Sequence, residues 1–272
     1  MQKFTYHCHT KGHGIFDGHQ SAEEMIAKAT ELGFEEIGIS NHFIYHPNMI
    51  KSSPMFFDNK QLFTDNMKRT VEDIRKAAAD AKIKVYVGFE VDFFPSAEWR
   101  KDFEQIRKEL DVDYYIGSTH FMRNDDESKI YNFYHYQEQG ADLSEEEIKH
   151  GISNYWNNIA LAAESGYFDF IAHLDVYKIF PQFAKYGEDD DKIKVIETLA
   201  RLHHPVELNT SGWRKVGEQH PDDDMLKALC MLNVPLVISD DAHDVEHLGA
   251  YFVRAEALLT SLGCKNRWRL NK

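Results

Sequence analysis

The sequence predicts an α/β protein folded as a closed barrel of seven strand–helix units. Seven short apolar segments alternate with helical segments, and this alternation is typical of a parallel sheet with right-handed crossovers. The length of 272 residues suits one barrel domain, spanning residues 1–272, better than two smaller domains. Acidic and imidazole side chains follow most of the apolar segments, as at a barrel mouth. An open, doubly wound sheet is the alternative.

Each element has a local signal. The predicted strands are residues 4–9, 36–40, 84–89, 114–119, 168–172, 206–208 and 236–239. The predicted helices are residues 21–33, 59–81, 96–110, 144–166, 189–203, 222–232 and 245–262. Capping boxes begin two of these helices, at Ser21 with Glu24 and at Ser144 with Glu147. The polar segment 123–143 is predicted to be an ordered insertion rather than a linker.

The charge balance restricts the partners. The chain has 45 acidic and 31 basic residues, a formal net charge of −14. Binding to a phosphate backbone needs a basic face, so nucleic acid and anionic membranes are not expected as partners. No apolar run approaches the ~18 residues of a membrane span. Three widely separated cysteines (Cys8, Cys230 and Cys264) predict no disulfide framework and a cytoplasmic location. The oligomeric state stays open.

The first predicted strand carries a histidine pair, His7 and His9. Alternate residues of a strand share one face, so both imidazoles can reach one metal ion. Cys8 lies between them and is expected to pack on the opposite face. A pair of hydrogen-bonded polar residues is the alternative interpretation of His-x-His alone.

The remaining strands strengthen the metal interpretation. Six of the seven predicted strands deliver a histidine, aspartate or glutamate at their C-terminal end, where the active sites of parallel barrels lie. These residues are His7, His9, His42, Glu90, His120, His173, Asp241 and His243. Imidazole and carboxylate ligands without thiolate suit Zn²⁺, Mn²⁺ or iron. Because seven or eight ligands are too many for one ion, we expect two to three divalent transition-metal ions.

The motif set resembles the polymerase-and-histidinol-phosphatase (PHP) superfamily over residues 7 to about 254. The motifs are His7-x-His9, Phe16-Asp17-Gly18, Asn41-His42, Glu90, His120, His173 and Asp241-x-His243. Strings such as Gly88-Phe-Glu-Val-Asp92 and Glu207-Leu-Asn-Thr-Ser-Gly-Trp-Arg214 look like the monofunctional histidinol-phosphatase branch. The family usually has an acid before the second-strand histidine, where this chain has Asn41.

The resemblance implies a distorted (β/α)7 barrel with a trinuclear metal centre. The first ion would be held by His7, His9, Glu90 and Asp241. The second would be held by Glu90, His120 and His173, with Glu90 bridging. The third would be held by Asp17, His42 and His243. Glu90, Asp241 and His243 are thereby also the candidate catalytic residues.

The implied chemistry is hydrolysis of a small phosphomonoester, most specifically of L-histidinol phosphate to L-histidinol and phosphate. Clustered divalent ions lower the pKa of a bridging water, and the resulting hydroxide attacks phosphorus in line with the leaving alkoxide. Arg214 and Arg123 follow predicted strands and are the candidate phosphate contacts, since a guanidinium matches phosphate geometry. His19 is the candidate for a further substrate contact or for protonation of the leaving group.

Several alternative functions fit part of the same pattern. A related phosphatase could act on a nucleotide or a sugar phosphate. Amidohydrolase barrels also begin with His-x-His, but many of them use a strand-end lysine that this sequence lacks. A non-enzymatic metal-binding protein would hold metal without phosphatase activity. Dinucleotide binding is weakly supported, because Gly12, Gly14 and Gly18 do not have the Gly-x-Gly-x-x-Gly spacing.

Overall fold

The computed structural model describes residues 1–13, 18–49, 59–134, 143–187 and 189–272. Within these residues a seven-stranded parallel sheet curls into a nearly closed barrel, which confirms the predicted fold class. The strands are β1 (Phe4–Thr5), β2 (Glu36–Phe43), β3 (Lys84–Asp92), β4 (Tyr114–Ser118), β5 (Phe121–Arg123), β6 (Ile130–Asn132), β7 (Phe170–Ile171), β8 (Val206–Asn209) and β9 (Leu236–Ser239).

The barrel strands follow the order β1-β2-β3-β4-β7-β8-β9. The register between β2 and β3 places His42 opposite Glu90. The two ends of the sheet meet where the backbone N–H of His9 donates to the carbonyl oxygen of Ala242 at 2.8 Å. A parallel bridge between Cys8 and Ala242 accompanies this bond. The segments that follow β1 and β9 are therefore neighbours at the mouth.

Helices cover the outside of the sheet. They are α1 (Ala22–Glu31), α2 (Lys60–Ala78), α3 (Ala97–Arg107), α4 (Glu145–Glu164), α5 (Pro181–Ala184), α6 (Asp189–Leu202), α7 (Ser211–Lys215), α8 (Asp223–Met231) and α9 (Phe252–Ser261). Both predicted capping boxes form, at Ser21 and at Ser144. Among the helices described, none has the length and apolarity that crossing a bilayer requires.

The structure differs from the sequence prediction in its short elements. Strands β5 and β6 form an antiparallel hairpin beyond β4 that the apolar pattern does not reveal. Helices α5 and α7 were not predicted either. Helix α9 begins at Phe252 rather than at residue 245, because residues 245–247 form a separate 3-10 turn. Gly249 and Tyr251 then adopt positive φ angles of 70° and 63°, which interrupt a continuous helix.

The barrel interior is apolar at its base and polar at its mouth. Tyr86 and Glu90 share the inner face of β3, since they lie four residues apart on one strand. Near the base, Tyr86 packs with Tyr114 and Phe170. The Tyr114 ring lies so close to Gly88 that a Cβ atom there would clash with it. The aromatic base thus supports the layer from which Glu90 projects.

The C-terminal segment covers the base. The Trp268 ring packs edge-on against Tyr6, with centroids 5.8 Å apart, and Leu270 is buried. Arg269 Nε donates to Glu36 Oε1 at 2.8 Å, and Arg267 makes a parallel bridge with Leu236. The barrel base is therefore closed by residues far along the chain from β1 and β2.

One cysteine pair departs from expectation. Cys230 and Cys264 form a disulfide with their Cα atoms 5.0 Å apart. The sequence predicts no disulfide framework, and this one bond departs from that expectation because the chain returns to the end of α8 over a sequence separation of 34 residues. Cys8 is free and buried.

Candidate metal centre

The two histidines that follow β1 point towards the barrel mouth together. Their ring centroids are 5.2 Å apart, and both side chains are fully buried. Cys8 between them packs instead against β2, where its Sγ lies 3.3 Å from the Gly38 carbonyl oxygen. The alternation of a strand thus places His7 and His9 on one face and the thiol on the other, as predicted.

Glu90 lies at the centre of the predicted ligands. Its Oε2 is 3.2 Å from His7 Nε2 and 2.8 Å from His42 Nδ1. Its Oε1 is 3.0 Å from His173 Nε2 and 3.6 Å from His120 Nε2. His9 Nε2 also lies 3.6 Å from Oε2. The two oxygens of one buried carboxylate therefore face different sets of imidazoles, which is the arrangement that a bridging ligand needs.

The two carboxylate oxygens of Asp241 also have different partners. Oδ1 lies 3.3 Å from His9 Nε2 and 3.7 Å from His7 Nε2. Oδ2 accepts a hydrogen bond from Lys215 Nζ at 3.0 Å. Asp241 therefore presents one oxygen to the histidines and the other to a cation.

His243 completes the cluster. Its ring stacks on His9, with centroids 4.1 Å apart, and lies 5.8 Å from that of His42. Four overlapping groups have ligand atoms within 4.8 Å of one another: His7–Glu90–His173, His7–His9–Asp241, His42–Glu90–His120 and His9–His42–His243. The structure thus brings together eight of the nine predicted metal ligands. The ninth, Asp17, lies outside the described residues.

The ionisation of Glu90 and His243 suits metal binding. Burial opposes the charge of Glu90, but His7, His42 and His120 outweigh it and hold the pKa of this carboxyl well below its usual range. Burial and the neighbouring His9 lower the pKa of His243 to about 3. An ionised carboxylate and a neutral imidazole are the forms that coordinate divalent ions.

The hydrogen bonding also fits a metal. His7 Nε2 and both oxygens of Glu90 are buried and form no hydrogen bond of acceptable geometry, although they converge. Buried polar atoms in proteins are otherwise almost always satisfied. Divalent ions held between these atoms would satisfy them.

Glu207 supports the cluster from below, and sequence analysis assigned it no role. His7 Nδ1 lies 2.9 Å from Glu207 Oε2, and the His173 backbone N–H donates to Oε1 at 2.7 Å. Asn209 and Ser239 also donate to this carboxylate. A carboxylate on the far nitrogen fixes the ring of a ligating histidine and raises its basicity. Glu207 therefore orients His7 with Nε2 towards Glu90.

Asp92 has the equivalent position behind His120. It accepts from the backbone N–H of His120 at 2.6 Å, and its oxygens lie 3.2 Å from Nδ1 of the ring. Asp92 shares the inner face of β3 with Glu90, two residues away. One strand thus supplies both the central carboxylate and a support for a neighbouring imidazole.

Asn41, the departure from the family pattern, does not face the cluster. Its Oδ1 accepts from the backbone N–H of Thr10 at 2.9 Å, and its Nδ2 donates to the Thr10 carbonyl oxygen at 2.9 Å. An amide satisfies both backbone groups, whereas an ionised acid could only accept. Asn41 therefore fastens the chain after His9 to β2.

A cavity of about 600 Å³ opens above the cluster. It is lined by His19, His42, Ile44, His120, Asn132, Tyr134, Arg214, Lys215, Asp241, His243, Asp244 and His247. Two of the three predicted substrate contacts, His19 and Arg214, are in this lining. His19 is 74% exposed and lies 3.6 Å from Asp244.

Arg123 has a different environment. It is 5% exposed, and its Nε and Nη2 donate to Asn158 Oδ1 on α4 at 3.0 and 2.8 Å. Its Nη1 donates to the carbonyl oxygen of Asn124 at 3.0 Å. It is not among the residues that line the cavity. The guanidinium predicted to contact phosphate instead ties β5 to α4.

Lys215, to which sequence analysis assigned no role, lines the cavity and pairs with Asp241. Its side chain is 23% exposed. Burial opposes its charge, yet Asp241 raises the pKa of this ammonium group above its usual value. Lys215 lies in α7, a helix of five residues, and the hydrophobic pattern of the sequence does not reveal so short a helix.

Fold and site together define a class of protein: a parallel β/α barrel whose mouth carries carboxylates and imidazoles arranged for divalent metal ions. The chain belongs to the PHP domain family, whose model matches residues 5–211. Arg214, Lys215, Asp241 and His243 lie beyond the matched segment, so their place in the site rests on geometry.

This chain is similar to several known proteins. A Deinococcus radiodurans protein named "Probable histidinol-phosphatase" is 31% identical over 187 residues, covering 67% of this chain and 66% of the relative. The structure of the HisK protein of Listeria monocytogenes has a TM-score of 0.68 at 19% identity, over 92% of this chain and 99% of that one. The structure of Lactococcus lactis histidinol phosphate phosphatase, complexed with zinc, L-histidinol and phosphate, has a TM-score of 0.66 at 19% identity, over 97% and 95%. These two structures support the fold.

Proposed function

We propose that this protein is a metal-dependent phosphomonoesterase that hydrolyses L-histidinol phosphate to L-histidinol and phosphate. The observation that carries the proposal is the position of Glu90 among five imidazoles, below a cavity that Arg214 and Lys215 line. Membership of the PHP family and the name of the Deinococcus relative support the substrate. We also propose that residues 1–272 form one catalytic domain.

The cofactors in this proposal are two to three divalent ions of zinc, manganese or iron. Bound there, such ions lower the pKa of water and neutralise phosphate charge. The proposed ligands are His7, His9, Glu90 and Asp241 for one ion, Glu90, His120 and His173 for a second, and His42 and His243 with Asp17 for a third.

The chain's own residues have distinct tasks in this proposal. Arg214 and Lys215 bind phosphate oxygens, and Lys215 also fixes Asp241 through Oδ2. His19, exposed at the mouth, donates a proton or a hydrogen bond to the leaving oxygen. Arg123 stabilises the hairpin rather than the substrate. The catalytic residues in this proposal are Glu90, Asp241 and His243, which surround the reacting phosphate.

The test is a phosphate-release screen on the metal-loaded protein, with histidinol phosphate among nucleotide and sugar phosphates. We expect histidinol phosphate to give the highest kcat/KM. Preference for another phosphomonoester would overturn the substrate while keeping the phosphatase. Bound metal without release from any of them would favour a non-enzymatic metal-binding protein.

Purified protein is expected to carry between two and three equivalents of transition metal per chain, because eight described ligands exceed the needs of one ion. Elemental analysis after metal supplementation measures this ratio. Chelation should abolish phosphate release, and Zn²⁺, Mn²⁺ or Fe²⁺ should restore it to different degrees. Less than one equivalent would contradict the assignment.

Arg214→Ala is expected to raise KM roughly ten- to a hundredfold with metal content unchanged. Loss of a charged hydrogen bond to phosphate costs about 1.5–3 kcal/mol. Steady-state kinetics and elemental analysis on one preparation separate substrate binding from metal binding. Loss of metal or of the folded state would contradict the role of Arg214.

Arg123→Ala is the matched comparison, since both residues were predicted phosphate contacts. This variant should lower the melting temperature and leave KM within about twofold, because its partners are Asn158 and backbone carbonyls. A KM increase equal to that of Arg214→Ala would restore the substrate role.

A cytoplasmic location stays a proposal. The Cys230–Cys264 disulfide is the observation against it, because such bonds are rare in reducing compartments. Mass spectrometry after alkylation of thiols in intact cells would report the state of this pair.

A further inference from the structure

The charges that line the cavity are of both signs. Outside the proposed metal ligands, three lining residues carry a formal charge at neutral pH: Arg214, Lys215 and Asp244. The two cations suit a phosphate. A carboxylate repels phosphate, so we expect Asp244 to contact a different part of the substrate.

One oxygen of Asp244 is already used. Its Oδ1 accepts from the backbone N–H of Glu246 at 3.0 Å and caps the 3-10 turn of residues 245–247. An aspartate side chain is ionised at neutral pH.

The other oxygen is available to a ligand. Oδ2 lies 3.6 Å from His19 Nδ1, beyond normal hydrogen-bond length, and the Asp244 side chain is 30% exposed. His19 itself is 74% exposed and can move aside. A cation entering the cavity can therefore reach Oδ2 without breaking the cap.

We infer that Asp244 binds an ammonium group of the substrate and selects phosphomonoesters that carry one. This rests on the proposed function and adds a specificity-determining residue to it. Charged hydrogen bonds between ammonium and carboxylate are short and strong. A molecule with phosphate at one end and ammonium at the other matches the cations and the carboxylate of this cavity. The phosphate ester of an uncharged sugar leaves Asp244 without a partner.

The test compares two substrates that differ only in the amine: L-histidinol phosphate and its desamino analogue, imidazolylpropyl phosphate. The wild-type protein should prefer the amine-bearing substrate by roughly ten- to a hundredfold in kcat/KM. Asp244→Asn should remove this preference by raising KM for histidinol phosphate alone. Asparagine caps a helix as well as aspartate does, so this variant keeps the turn.

Two further variants sharpen the comparison. Glu246→Gln removes an exposed carboxylate two residues away that does not line the cavity, and it should leave the preference unchanged. Asp244→Lys should reverse the preference, since a second cation repels the ammonium group. If Asp244 acts only by positioning His19, then His19→Gln and Asp244→Asn should both lower kcat/KM, and each should do so equally for the two substrates.

The outcomes separate the two proposals. Equal hydrolysis of both substrates by the wild-type protein would keep the phosphatase and overturn the ammonium site. An equal loss of kcat/KM for both substrates in Asp244→Asn would also overturn the ammonium site. Hydrolysis of neither substrate, with metal bound, would overturn the proposed function itself.

Discussion

Glu90→Gln is expected to lose at least one metal ion and nearly all turnover while the barrel still folds. Glutamine keeps the shape of the side chain but removes the charge that lies among five imidazoles. Its amide oxygen can serve one ion weakly, while its NH₂ group faces the other. Losing a single electrostatic stabiliser commonly costs 10²–10³ in kcat, so the loss of a bridging ligand should exceed roughly 10³-fold.

Elemental analysis, circular dichroism and kinetics on one preparation measure metal, fold and turnover. Asp92→Asn should be milder, since Asp92 lies behind His120 and is not a proposed ligand. Glu72→Gln, on the exposed side of α2, controls for loss of a surface charge and should behave as the wild type. Full metal content with a near-normal rate in Glu90→Gln would refute the bridging assignment.

Glu207→Gln is expected to weaken both the metal centre and the fold. All groups around Glu207 are positioned to donate, so an amide NH₂ must face another donor in a fully buried site. Loss of a carboxylate that orients a ligating histidine typically costs 10–100-fold in metal affinity. Breaking a buried ionic pair should lower the free energy of unfolding by roughly 3–5 kcal/mol.

The pH dependence gives a second measurement. Burial opposes the charge of Glu207, but His7 and its other donors hold the pKa of this carboxyl below its usual value. A depressed pKa contributes stability that is present above the unfolded pKa and is lost as pH falls through the folded one. Wild-type protein should therefore lose this contribution in acid, and Glu207→Gln should lack it at neutral pH. Equal denaturant midpoints for wild type, Glu207→Gln and the exposed control Glu197→Gln would refute this role.

The sequence predicted the strands and their end residues well, for a physical reason. A parallel barrel brings the C-terminal ends of its strands to one rim. The chemical type of a residue such as His173 or Asp241, together with its position after an apolar segment, was therefore enough to place it. Residues 236–239 were even predicted with the bounds of β9.

The roles that could not be predicted from the sequence depend on contacts between residues that are far apart in the chain. Glu207 lies within β8, and its task becomes visible only when His7, 200 residues away, meets it. Arg123 occupies a strand end, but position does not show whether a long side chain turns to the cavity or to Asn158. Lys215 was missed because it belongs to a short helix, and the ammonium-facing role of Asp244 needed the shape of the cavity.

The closure of the barrel base has a consequence for synthesis on the ribosome. Gln2 Nε2 donates to the Ile238 carbonyl oxygen across 236 residues of sequence, and Arg269 binds Glu36 across 233. A nascent chain can form neither contact until translation has passed these late residues and they have left the exit tunnel. The first strands must therefore wait, with their inner aromatic faces uncovered, until the 233 positions from Glu36 to Arg269 have been translated. Such non-local topology slows folding, and it makes chaperone contact during translation valuable for this barrel.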